Sequence, residues 1–472
     1  MTRIPGLRSR SPVAGLRRRA LRPLGVFAQS VATTAPAGAM ASVPLLVIAV
    51  AGPGAPVSFA VAAVVVGLVA ICIAVFARRM AAAGGLYSFT AQGLGSGGAF
   101  ACAVSMVVSY GMLVAAAFTG VSWYGSALLS RLWPAAGTPV VAAALAVVLA
   151  AVVAVCALRG IRLAGRVMLV IESVSIVVIL AVLVTLAITT VPAPVAAAPA
   201  VPGGALGIAL GVLPALAAFI GFDSATALGV EARRPFASVP RAVTATAAVT
   251  AVLYLVATLV QLAAPGAAVG ATSPSSGQAG GLSGAAVLMD LGIVASFGAC
   301  ALAALNTLVR VLFSLARDGV APAVLGRTHR RYLTPAVAIA IAVPVLAVVA
   351  ITGGLAGVAP AAVFSGLLSV GTLAFLVTYV LVCLAAPRFL ARIGELTRGV
   401  VVAAVLAVAA LVATLVVVLL NAGAALLLTL AGLVVVAAAG WFVLRRRRPV
   451  ALRTMGVYDE TTTADVLTAG SE

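Results

Sequence analysis

The chain is a succession of apolar runs, most about 20 residues or longer, separated by short clusters of arginine. A run of that length with few charges matches a helix crossing the hydrocarbon of a bilayer. No water reaches the backbone there, so each segment has to satisfy its own amides and carbonyls, which excludes open sheets and leaves helices. Composition agrees: 64% of the 472 residues are apolar and 8% charged, against roughly a quarter charged in soluble domains. A soluble fold of this length is excluded, and one polytopic helical domain is expected.

The formal charge of +19 comes from 29 basic residues, all arginine, against 10 acidic ones. They fall between the apolar runs with few interleaved aromatics, so they read as topology signals on a bilayer and not as a nucleic-acid groove. The five cysteines, Cys72, Cys102, Cys156, Cys300 and Cys383, are far apart, each within an apolar run. They read as small core residues, with no disulfide framework, metal site or cofactor expected.

Twelve spans can be drawn at roughly 24–51, 58–77, 99–129, 138–157, 167–190, 204–229, 240–264, 284–312, 335–352, 359–386, 399–420 and 423–444. The apolar run after the basic start is too long for a signal peptide, so residues 1–23 are expected to remain as a cytoplasmic tail. Counted from that side, 28 arginines lie inside and Arg131 alone lies outside. The positive-inside rule then places both termini in the cytoplasm of a plasma-membrane protein, with 445–472 as a second tail, polar and mobile from Thr454. Residues 191–203 and 265–283, rich in Pro, Ala, Gly and Ser, read as uncharged outer loops.

A helix can break within hydrocarbon only where its freed backbone groups face protein or a watery cavity, so breaks point to sites. Span 1 contains Ser30-Val31-Ala32-Thr33-Thr34-Ala35-Pro36-Ala37-Gly38-Ala39-Met40, small and hydroxylic residues around a proline. Span 6 contains Phe219-Ile220-Gly221-Phe222-Asp223-Ser224-Ala225-Thr226, a glycine followed by a carboxylate and hydroxyls. Each has a plain alternative: a re-satisfied proline kink for the first, and a helix cap for Asp223 or Ser224. Together they open two possible five-helix repeats, spans 1–5 (about 24–190) and 6–10 (about 204–386), with extra helices at about 399–444. Paired interruptions at corresponding places are the sequence sign of an alternating-access site.

Span 6 and its exit, through Glu231-Ala232-Arg233-Arg234-Pro235 to Val239-Pro240-Arg241-Ala242, resemble the amino acid/polyamine/organocation permease superfamily. So do Arg78-Arg79-Met80-Ala81-Ala82-Ala83-Gly84-Gly85-Leu86-Tyr87 and Arg310-Val311-Leu312-Phe313-Ser314-Leu315-Ala316-Arg317-Asp318-Gly319-Val320-Ala321-Pro322, in the expected order. The resemblance covers nearly the whole chain. It implies a five-plus-five inverted repeat with two additional helices, holding substrate between unwound spans 1 and 6.

On that reading the half-helix starting near Gly38 offers amides and a positive dipole end to a carboxylate, and freed carbonyls and hydroxyls near span 6 take an ammonium. The candidate substrate-binding residues are Thr33, Thr34, Ala35, Ala37, Gly38, Phe219, Gly221, Phe222, Asp223 and Ser224. Phe219 and Phe222 either wall the pocket or are plain packing. The chain departs from the family in carrying Asp223 where Glu is usual, and Pro36 with a single Gly38 where many members have a glycine pair.

Coupling and gating candidates are Asp223, Glu172, Ser175, Asn306 and Glu231. Some family members carry a Lys on span 5 that replaces a sodium ion, at the position of Ser175 here. Glu172, one turn earlier, is a candidate proton carrier with Asp223, or a contact locking two helices. Asn306 reads as an interhelical hydrogen-bonding residue before a ligand. Glu231 with Arg233, Arg234 and Arg241 forms either an inner gate or a surface ion cluster. Asp290 faces a vestibule or reaches water, and His329 reads as a solvated loop residue.

The expected function is a secondary transporter for an amino acid or related amine, by proton symport or exchange. Sodium coupling is the rival mechanism, a passive channel or structural membrane protein a further class. A membrane enzyme is disfavoured, for the acids lack a metal cluster, a Ser/His/Asp set or a nucleotide motif.

Overall fold

The computed structural model describes residues 15–189, 204–263 and 284–456. The outer loops expected at 191–203 and 265–283, and most of both tails, lie outside the described residues. Within them the secondary structure is helical, apart from one isolated bridge between Leu21 and Ala232.

The first apolar run is two helices, α1 (Pro23–Thr34) and α2 (Pro36–Ala51), and the turn Gly52–Gly54 leads into α3 (Ala55–Ala77). Next come α4 (Leu86–Leu132), bent where Gly95 takes φ 72°, then α5 (Pro139–Arg159) and α6 (Ile161–Thr189). The second half holds α7 (Ala205–Ala218), a 3-10 turn at Ser224–Leu228, α8 (Pro235–Ala263) and α9 (Gly284–Arg317). It continues through α10 (Ala336–Leu355), α11 (Pro360–Arg392), α12 (Arg398–Leu420), α13 (Ala424–Arg447) and the short α14 (Pro449–Arg453).

Prolines set several of these starts: Pro23, Pro36, Pro139 and Pro360 occupy the first turn, where a missing N–H costs nothing. Thr138 adds a side-chain cap, its Oγ1 accepting from Val141 N at 3.4 Å.

Ten stretches among the described residues are long and apolar enough to cross a membrane. The twelve drawn from sequence differ at two places. Pro23–Ala77 counts as one stretch of 55 residues, and Ala205–Ala218 is too short alone because the run breaks after it. The expected edge at 167 moves back to Ile161, since the turn at Gly160 (φ 112°) leaves Arg162 and Arg166 on helix.

The core is built around α4, α9 and α11, with α1, α2 and α7 enclosed beside them. Valines such as Val147 and Val148 on α5, Val170 and Val174 on α6, and Val434 to Val436 on α13 are exposed. Apolar residues facing outward around a polar-lined centre fit a lipid surround, which replaces the burial a soluble core would need. The α13 helix is peripheral, touching the rest through contacts such as Trp441 on Phe100, with ring centroids 5.2 Å apart.

Both described ends of the chain meet at one end of the bundle. Residues 19–21 pair with 230–233 (Leu21 N to Glu231 O, 2.8 Å; Arg233 N to Leu21 O, 2.9 Å). At the other terminus, Gly456 N donates to Asp318 Oδ2 at 2.9 Å, and Arg448 donates to Gly319 O at 2.8 Å. Parts of both expected tails, within residues 15–22 and at Gly456, are packed against the bundle.

Candidate functional site

The two interruptions lie side by side. At the first, Ala35 adopts the left-handed conformation (φ 43°, ψ 55°) and Pro36 supplies no N–H, so α1 stops and α2 begins afresh. At the second, α7 ends at Ala218 and the chain turns at Gly221 (φ 95°) before the 3-10 turn. A Cβ at Gly221 would lie 2.2 Å from Thr33 Cγ2, so the approach of the two segments requires glycine.

Side chains from both segments close the freed backbone groups. Ser30 Oγ donates to Phe222 O at 2.6 Å, and the hydroxyls of Thr33 and Ser224 are 2.8 Å apart. Tyr254 on α8 places its hydroxyl 3.2 Å from Thr34 O and 2.9 Å from Ala218 O, one carbonyl from each broken helix. Buried carbonyls left without such partners would each cost free energy comparable to a lost hydrogen bond.

The start of α2 is also occupied. Ala37 N donates to Glu172 Oε1 at 3.3 Å and Gly38 N to Ser296 Oγ at 3.1 Å, while Ser296 Oγ donates to the same Glu172 oxygen at 2.8 Å. A carboxylate against first-turn amides and the positive end of the helix dipole is a favourable arrangement. The second oxygen of Glu172 is buried without a hydrogen-bond partner among the described residues.

Of the predicted residues, Thr33, Thr34 and Ala35 line a narrow cavity together with Ile220, Phe297 and Cys300. Ala37 and Gly38 face Glu172 and Ser296 behind it. Phe219 and Phe222 are buried, Phe219 edge-on to Tyr254 and Phe222 tilted on Tyr379. Asp223 is buried outside that cavity, its two oxygens accepting from Tyr110 at 2.8 Å and Tyr379 at 2.9 Å. Ser175 is buried one turn beyond Glu172.

Two gating candidates have partners other than those expected. Glu231 does not pair with Arg233, Arg234 or Arg241, which are exposed; it is buried against Arg310 of α9, at 2.6 Å. The Asn306 side-chain nitrogen has no hydrogen-bond partner among the described residues, and its backbone carbonyl accepts from Arg310 at 2.6 Å. Asp290 is likewise buried in an ion pair, with Arg131 at 2.7 Å. These two ion pairs stand about twenty residues apart on α9, roughly 30 Å at 1.5 Å per residue, which is the thickness of a bilayer core.

Sequence reasoning missed Tyr110, Tyr254, Tyr379, Ser296 and Gln29, the last donating to Ala303 O at 2.7 Å and Thr307 Oγ1 at 3.2 Å. A usable signal existed for the tyrosines and Gln29, as polar groups within apolar runs need partners.

The family model described as "Amino acid permease" matches residues 25–450. The branched-chain amino acid permease BcaP of Bacillus subtilis (strain 168) is 30% identical over 308 residues, 61% of this chain and 65% of that protein. The methylthioribose transporter of the same organism is 28% identical over 302 residues, covering 60% and 64%. The cationic amino acid transporter 4 of Mus musculus is 29% identical over 314 residues, covering 61% and 48%. The matches span less than two thirds of the length of these relatives. With the family model running over nearly its whole length, this chain belongs to the amino acid permease family of the amino acid/polyamine/organocation superfamily.

Proposed function

We propose that this protein is a secondary active transporter that moves an amino acid or a related amine across the plasma membrane by alternating access. Its twelve spans form two inverted repeats of five, about 24–190 and 204–386, followed by two further helices at about 399–444. Both termini are cytoplasmic, following the arginine bias. The observation that carries the reading is the pair of adjacent helix breaks, whose ends meet at one cavity lined by Thr33, Thr34 and Ala35. The permease and transporter names of the relatives support it.

In this scheme the substrate ammonium lies against the carbonyls and hydroxyls beside Thr33 and Ser224. The substrate carboxylate takes the α2 amides of Ala37 and Gly38, which Glu172 and Ser296 hold in the closed state. Two carboxylates cannot share that small apolar space cheaply, so Glu172 is neutralised by a proton as substrate enters. That step couples substrate to proton. Ser175 packs beside it with no coupling ion, Asp223 acts through its tyrosine pair as a second coupling group, and Asn306 backs the inner gate. The ion pairs Arg131–Asp290 and Glu231–Arg310 are the outer and inner gates, both shut here.

The test is uptake into proteoliposomes with sodium replaced by choline at fixed pH. Uptake driven by an inward proton gradient and unchanged in choline is the expected result. Uptake that requires sodium overturns the coupling, and flux without saturation or competition between substrates overturns the transporter reading itself.

A further inference from the structure

At the end of the bundle where both described ends gather, a surface cleft of about 470 Å³ opens between the start of α1 and the first turns of α6. Four arginines line it, Arg22, Arg162, Arg166 and Arg233, and none of its lining residues is acidic. None of the four belongs to an ion pair among the described residues. Arg162 spends one donor on Ala20 O at 3.3 Å, leaving most of its fork free. By contrast, Arg79, Arg131 and Arg310 each meet a carboxylate. Four like charges gathered in one cleft repel one another, and an anion relieves that repulsion.

We propose that this cleft binds the phosphate of an anionic phospholipid headgroup in the cytoplasmic leaflet. Guanidinium forks pair with phosphate through two parallel hydrogen bonds, and several can share one group. Free phosphate offers the same chemistry, but the wall of the cleft selects the lipid. Leu24 and Leu169 line it beside the arginines, and Leu24 is 59% exposed, giving an acyl chain an apolar path out of the charged floor. The site has a mechanical consequence. Its floor, Leu21, is hydrogen-bonded through its backbone to Glu231 and Arg233, so a bound headgroup fastens the entry of α1 to the segment that carries the inner ion pair.

The inference rests on the cytoplasmic placement of this end argued under the proposed function, yet its test involves no transport, so either can fail alone. The full-length protein in neutral detergent is titrated with fluorescent phosphatidylglycerol. Saturable binding is expected, displaced by unlabelled phosphatidylglycerol but not by phosphatidylcholine or by inorganic phosphate at the same concentration. Arg162→Gln with Arg166→Gln weakens it by about tenfold, some 1.4 kcal/mol. The equal-charge control Arg330→Gln with Arg331→Gln, in an exposed loop, leaves it unchanged and shows that bulk charge is not being read. Equal displacement by phosphatidylcholine overturns the site, as does an equal effect of both variant pairs. Equal displacement by inorganic phosphate overturns the lipid assignment. If the double variant does not fold, Arg233→Gln is measured alone and has to weaken binding for the proposal to stand.

Discussion

The carboxylate of Glu172 lies against the first turn of α2, one oxygen accepting from Ala37 N at 3.3 Å and from Ser296 Oγ at 2.8 Å. In the proposed scheme it occupies the place of a substrate α-carboxylate. Beyond these contacts Glu172 faces Tyr254 of α8 and Cys300 of α9, with no cation paired to it among the described residues. Glu172→Gln keeps the acceptor oxygen and removes the charge. Proton-gradient-driven uptake into proteoliposomes should then fall by about tenfold, equivalent to about 1.4 kcal/mol, while exchange of labelled for unlabelled substrate falls much less. Equal losses in both assays would reduce Glu172 to a helix cap.

Tyr110 on α4 and Tyr379 on α11 both donate to Asp223, which lies in the second break between Ala218 and the 3-10 turn. Each Tyr→Phe change removes one donor from a buried carboxylate, a loss of about 1.5–3 kcal/mol for a hydrogen bond to a charged group. The double variant should lose less than the sum, because both donors act on one carboxylate and contributions within one hydrogen-bond network do not add. Apparent thermal stability in detergent, compared across the two single variants, the double variant and Asp223→Asn, reads this. In the Asn background the tyrosine changes should cost visibly less.

Much of this was legible in the chain because a bilayer enforces one simple rule. Pro36 inside an apolar run, and Gly221 followed by Asp223, marked both breaks, since neither pattern sustains a helix and each freed group needs a partner. Partners from other spans were not legible. Tyr254 comes from α8, Ser296 from α9 and Tyr379 from α11, and the helix rotations that turn them inward depend on packing that periodicity cannot supply in runs apolar all round. The misplaced pairing of Glu231 has the same origin. Arg233, Arg234 and Arg241 are near it in sequence, but Arg310 reaches it across the bundle, where burial strengthens the attraction and makes the pairing obligatory.

That Glu231–Arg310 pair is almost fully enclosed, at 1% and 2% side-chain exposure. Removing one partner strands the other charge, which costs about 3–5 kcal/mol, whereas removing both costs far less. Glu231→Gln and Arg310→Met should each lower apparent thermal stability strongly, and the double variant should recover a large part of it. If the pair is also the inner gate, the double variant opens to that side more often, read as faster modification of a cysteine placed at Ser224. Recovery of stability without faster modification would leave the pair a structural contact.

Cys300 supplies a reporter already in place. Its thiol lies 3.1 Å from Thr33 O and lines the same cavity as Thr33, Thr34 and Phe297, while Cys72, Cys102 and Cys383 are buried away from it. In a protein carrying Cys72→Ala, Cys102→Ala, Cys156→Ala and Cys383→Ala, a small methanethiosulfonate reagent reaches Cys300 only when the cavity opens. Phe297, packed on Tyr124 and Phe364, lines the cavity beside Cys300, so Phe297→Ala should speed the modification. A saturating transported substrate should slow it by about tenfold, since the occupied cavity excludes the reagent as a ligand excludes any competitor for the same space. Both effects are measured as rates of mass gain on the intact protein. Protection by compounds that are not transported, or none by those that are, would separate this cavity from the transport path.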